Sequence, residues 1–188
     1  MFGQRGAGIV LSSIALLGAT IGAPAAQAHD HGDGHGRGRG HDRVTIGCTG
    51  QENTTYTPGL TLTARTSAVR GEGAYTCSDA PGHTTSATAS TAGVATDASC
   101  LSFGTVQGRQ IITFADGRTS EIRYTAGNSE RALGVHNVHL VGTVVKGAYQ
   151  GAHAERDIQT APGGLPTTCL EEGGLTHSIA FDQLTIES

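Results

Sequence analysis

The chain has 188 residues, a formal net charge of −4 at pH 7 and only 15% charged residues. With one Lys, Lys146, and its Arg residues dispersed, it lacks the basic patch that tracks a nucleic-acid backbone, which argues against nucleic acid as a partner. Trp is absent and Gly numbers 29, so any core is short of aromatic bulk and covalent support gains value.

Residues 1–28 read as a secretory signal peptide: Arg5 supplies the positive start, residues 9–22 are mostly apolar, and Ala26-Gln27-Ala28 forms a small-residue cleavage site. The apolar run is short and broken by Gly and Ser, and no second candidate span follows. The expected product is secreted and extracellular, with no membrane attachment once the signal is removed.

Residues 29–43 are built from His, Asp, Gly and Arg with nothing apolar to bury, which predicts a disordered N-terminal tail. Cleavage after Ala28 would begin the mature chain with His29-Asp30-His31. A free amine, two deprotonated amides and the imidazole of His31 form a square-planar nitrogen set suited to Cu(II) or Ni(II). His35 and His41, with Asp30, Asp33 and Asp42, could add weaker ligation. No cofactor is otherwise required. If the tail captures metal, calorimetry will show Cu(II) binding to the mature chain and loss of that affinity in a chain beginning at Val44; equal affinities would end the idea.

Residues 44–188 make one domain by length. Val44, Ile46 and Cys48 alternate onto one face, and Leu60, Leu62 and Ala64 alternate again after the Pro58-Gly59 punctuation. Residues 67–77 place Val69, Gly71, Gly73, Tyr75 and Cys77 on one face, the glycines suggesting a bend or a close neighbour. Residues 83–100, rich in Ala, Ser and Thr, supply one or two strands. Asn53 begins a glycosylation sequon, expected in a loop and read as coincidental.

The clearest hairpin is residues 110–124, two β-rich runs around Asp116-Gly117. An odd-numbered loop with Gly117 in the left-handed region puts Ile112, Phe114, Ile122 and Tyr124 on one face, whereas a two-residue loop mixes the faces. Residues 126–128 read as a turn. In residues 135–145, Val138, Leu140, Gly142 and Val144 share one face. The chain then bends over residues 146–151, continues as a strand over residues 152–160 and loops through residues 161–166. In the last strand Ile179 and Phe181 have one parity and Leu184 and Ile186 the other, which predicts a bulge near Asp182-Gln183. About 7–10 short strands without a helical period predict an all-β fold, an antiparallel sandwich or barrel.

Four cysteines, Cys48, Cys77, Cys100 and Cys169, in an exported chain read as two disulfides, since their spacing matches no zinc pattern. Of the three pairings, a meander that returns to its starting end favours Cys48 with Cys77, leaving Cys100 with Cys169.

Tyr56-Thr-Pro-Gly-Leu-Thr-Leu-Thr63, the four cysteines, the Asp116-Gly117 hairpin, Gly142-Thr-Val-Val-Lys-Gly-Ala-Tyr-Gln-Gly151 and the Leu184-Thr-Ile186 ending resemble a family of small exported four-cysteine β-proteins of actinobacteria. The resemblance implies export and a β fold, and it transfers no activity and no functional residue.

No catalytic residue is nominated. There is no G-x-S-x-G elbow and no H-E-x-x-H. Oxidised cysteines cannot serve as thiolates. Glu171 and Glu172 are adjacent and expected in solvent, and His136 and His139, three apart on a strand, point to opposite faces. The leading class is a secreted, non-enzymatic β-domain that binds a small ligand, a glycan or a protein. Metal capture by the tail is the second class, and an unrecognised secreted hydrolase the third.

Overall fold

The computed structural model describes residues 45–132, 135–160 and 167–188. The signal segment, the tail with its proposed ligands His29, Asp30, His31, His35 and His41, Val44, and the expected loop at residues 161–166 lie outside the described residues.

The architecture is a closed antiparallel barrel, with no free sheet edge, rather than a sandwich. Its eight strands are β1 (Thr45–Leu60), β2 (Arg65–Ala80), β3 (His83–Ala98), β4 (Val106–Phe114), β5 (Thr119–Ala132), β6 (Val135–Gly147), β7 (His153–Thr160) and β8 (Leu175–Glu187). Each strand pairs with its neighbours in sequence, and β8 pairs back onto β1. Closure satisfies the backbone groups that an open sheet would leave at its edges. The up-and-down order defines two ends. The β1–β2 and β3–β4 connections and the described part of the β7–β8 connection lie at one, the loop end. The three short turns lie at the other, the turn end.

The central hairpin has the odd loop that side-chain parity requires. Thr113 pairs with Thr119, the Phe114 N–H donates to the Arg118 carbonyl at 2.9 Å, and Gly117 takes φ +84°. Ile112, Phe114, Ile122 and Tyr124 consequently all point inward, none more than 2% exposed. Val138, Leu140 and Val144 of β6 extend the same interior face.

Interior residues sort into layers along the barrel axis. At the turn end, Ile46, Ile112, Phe114, Ile122, Leu184 and Ile186 fill the lumen. Cys48 and Cys77, directly opposed on β1 and β2, form a disulfide within this layer. Cys100 and Cys169 form the second, tying the β3–β4 connection to a single 3-10 turn, Thr168–Leu170, at the loop end. Such bridges fit an oxidising, extracellular-type environment. No helix among the described residues is long and apolar enough to cross a membrane.

Residues 83–98, expected as one or two strands, form one, β3. Several other local expectations are corrected. The alternation through Leu60, Leu62 and Ala64 is not a strand: β1 runs through Pro58 to Leu60, which is buried, while Leu62 and Ala64 are exposed in the connection. Residues 126–128 are not a turn, because β5 continues through them with a register shift after Tyr124 that lets Gly127 lie against Leu140. Asn53 lies within β1, not in a loop. Finally, β8 has no bulge near Asp182, since its pairing with both β1 and β7 runs unbroken there. Ile179 and Phe181 instead face outward, 54% and 50% exposed, and the interior position between Ala180 and Leu184 belongs to Asp182.

A cavity above a buried charged layer

Keeping the register of β8 puts a carboxylate inside the barrel, and two other strands do the same with charged residues. Glu52 of β1, Arg156 of β7 and Asp182 of β8 all point inward and are 1–2% exposed. Arg156 Nε donates to Asp182 Oδ1 at 2.9 Å, and its Nη2 donates to Glu52 Oε2 at 2.8 Å. Arg156 Nη1 donates to Thr91 Oγ1 at 3.3 Å, and that hydroxyl donates onward to Glu52 Oε2 at 2.7 Å. Two tyrosines and an amide complete the layer: Tyr124 donates to Gln110 Oε1 at 2.6 Å, and Gln110 Nε2 donates to the Tyr75 hydroxyl at 3.3 Å.

Glycines make room for this layer. A Cβ at Gly50 or Gly73 would come within 2.7 Å of the Tyr75 ring, and one at Gly71 within 2.1 Å of Glu52 Oε1. The two β2 glycines are therefore there to admit an interior tyrosine and a carboxylate, a more specific role than bending the strand.

Placing three charges in a barrel interior carries a desolvation cost of several kcal/mol per ion, offset only by close pairing. Arg156 resolves the conflict toward charge: burial opposes its ionisation, but Glu52 and Asp182 outweigh that and hold its pKa above the ordinary value. Asp182 goes the other way. Burial raises its pKa despite the opposing attraction of Arg156, with Glu52 adding to the rise. Its Oδ2 is buried with no hydrogen bond of ordinary geometry, although Tyr75 stands close enough to influence its titration. Burial likewise raises the pKa of both Tyr75 and Tyr124 and keeps their phenols protonated.

The Asp182 shift sets a pH dependence. A folded pKa above the unfolded value means the stability contributed by this group is fully present below the unfolded value of 3.8 and is lost as pH rises through the folded pKa. Asp182→Asn mimics the protonated form. It is expected to match the wild type in acid and to exceed it in stability at pH 7, which urea denaturation at both pH values will measure.

Above the charged layer, toward the loop end, the barrel is not filled. A cavity of about 60 Å³ has Glu52, Thr91, Tyr124 and Arg156 at its base and Val69, Ala95, Val106, Val138, Leu140 and Ile158 on its walls. Phe103, carried by the β3–β4 connection, also lines it. Its ring stacks on Tyr56 at 5.9 Å and tilts against His136 at 5.0 Å. Ser129 clamps its backbone, accepting from the Phe103 N–H at 2.9 Å and donating to the Phe103 carbonyl at 2.6 Å. The Cys100–Cys169 bridge anchors the same connection three residues away.

The histidines and acids weighed from sequence do not converge. His136 points inward and its Nε2 meets the Leu101 carbonyl at 2.9 Å, whereas His139 lies outside beside Asp157 at 2.8 Å. Glu171 and Glu172 are exposed. No group of three or more His, Cys, Asp or Glu among the described residues could hold a metal. The residues that form the site were overlooked, although one signal pointed to two of them: Arg156 between Ala154 and Ile158, and Asp182 between Ala180 and Leu184, each interrupt an apolar alternation at an inward position.

Comparison with protein-family models, with curated proteins and with solved structures gives no match to this chain. Its class therefore rests on its own geometry: a closed eight-stranded antiparallel barrel with two disulfides, which fits a small domain of the secreted type.

Proposed function

We propose that this is a secreted binding domain that holds a small, largely apolar molecule inside its barrel at the loop end and does not transform it. One observation carries the reading. The turn-end half of the lumen is packed with side chains, while the loop-end half keeps a cavity with apolar walls and a polar base, the usual makeup of a small-molecule site. The base supports holding rather than chemistry, because its Arg, Glu and Thr are spent on one another. No His, Cys or Ser lines the cavity among the described residues.

Xenon tests the cavity without presuming a ligand, since it enters apolar voids. Under xenon pressure, methyl NMR signals of Val69, Val106, Val138 and Leu140 should shift and saturate, while those of Ile112 and Ile122 in the packed half stay fixed. Equal small drifts at both ends would rule the reading out. Val138→Phe, which places a ring in the space, should abolish the xenon response.

A further inference from the structure

The base of this cavity is built from oxygen atoms whose protons are already committed elsewhere. Thr91 donates to Glu52 Oε2, Thr54 donates to Glu52 Oε1, and Tyr124 donates to Gln110. Arg156 is the sole cation of the lining, and it donates to Asp182, Glu52, Thr91 and Tyr75. What the base turns toward a guest is mainly lone pairs. Glu52 Oε1 is the most open of these, since its one hydrogen bond, from Thr54, is long at 3.3 Å. Glu52 is also 2% exposed, so water competes weakly for it.

From this we infer that the cavity takes small amphiphiles whose head is a hydrogen-bond donor, an alkylammonium or an alcohol, and discriminates against carboxylates. The inference rests on the cavity reading above and adds the chemistry of the guest. An ammonium offers three donors and a positive charge to Glu52, in a layer where two carboxylates face one guanidinium. An alcohol offers one donor. A carboxylate offers only acceptors, and would set its charge against Glu52 beside a guanidinium already paired with two carboxylates. The cavity reaches from Glu52 at its base to Phe103 at the loop end, so a short head fits beside Glu52. The alkyl chain then runs along Val69 and Val106 toward Phe103.

Butylammonium, 1-butanol and butyrate share one chain and differ in the head. Titrated at pH 7 into the full mature chain and followed by the same methyl signals, butylammonium and butanol should bind at least tenfold more tightly than butyrate. Glu52→Gln keeps the shape but replaces an acceptor oxygen with an N–H donor. It should lower the ammonium-to-butyrate affinity ratio at least tenfold. Butyrate binding as tightly as butylammonium would overturn the inference, and so would a xenon response with no binding of either donor-headed guest. Loss of the xenon response in the wild type would instead remove the cavity reading itself. Should Glu52→Gln fail to fold, the comparison of the three guests on the wild type still decides.

Discussion

Arg156→Met is expected to cost about 3–5 kcal/mol of folding stability, the range found when one partner of a buried ion pair is removed and the other is left uncompensated. The physical reason lies in the geometry around the guanidinium. Among the described residues Arg156 is the only cation paired with Glu52 and Asp182, both of which are buried inside the barrel. Met fills much of the same volume but supplies no donor, so both carboxylates must either protonate or unfold the layer. Of a typical total of about 5–15 kcal/mol, that is a large share, and urea denaturation at pH 7 will measure it. Acid should narrow the deficit, because protonation removes the charges that Arg156 would have compensated. A further variant separates charge from packing. Adding Glu52→Gln and Asp182→Asn to Arg156→Met should recover most of the loss at pH 7, since neutral amides can hydrogen-bond within the layer. A triple variant no more stable than Arg156→Met would show that the side chain acts through its contacts rather than its charge.

The same layer explains why the fold was more legible in the sequence than the site. Alternation reports which residues point inward wherever apolar side chains occupy the inward positions, as in the 110–124 hairpin and in β6, and there parity and loop geometry agree. It misleads where a barrel spends an inward position on a charge. In β8 the apolar pair Ile179 and Phe181 invited a bulge that would have turned them inward, yet the unbroken ladder keeps them outside and Asp182 inside. That choice is stable only because Arg156, which lies 26 residues earlier on the adjacent strand, meets the carboxylate. Glu52 lies 104 residues from the same guanidinium. No local pattern carries pairings at such separations. The glycines of β2 hold a trace of them, because Gly71 and Gly73 mark where Glu52 and Tyr75 lie over the strand, but a glycine does not name the side chain it admits.

Removing either disulfide should destabilise the barrel by a similar amount and loosen opposite ends of it. In the chain-entropy model, closing loops of 29 and 69 residues is worth about 3.5 and 4.5 kcal/mol. Cys48→Ala/Cys77→Ala should therefore lose slightly less stability in urea than Cys100→Ala/Cys169→Ala. The functional consequences diverge further. Cys48 and Cys77 sit on adjacent strands whose ladder continues on both sides of them, within the packed turn-end layer. Without the bridge the register is still specified, and the cavity should keep its xenon response. Cys100 and Cys169 join two connections that share no strand ladder, and the first of them carries Phe103 over the cavity. Freed from Cys169, residues 99–105 retain the Ser129 clamp and the Tyr56 stack, contacts worth far less than the covalent tie. Amide hydrogen exchange should accelerate there before it does in β4 and β5, and guest exchange on and off the cavity should quicken. If exchange instead rises uniformly around the barrel in both variants, the loop end is not a separate unit of stability, and Phe103 is held by the fold as a whole.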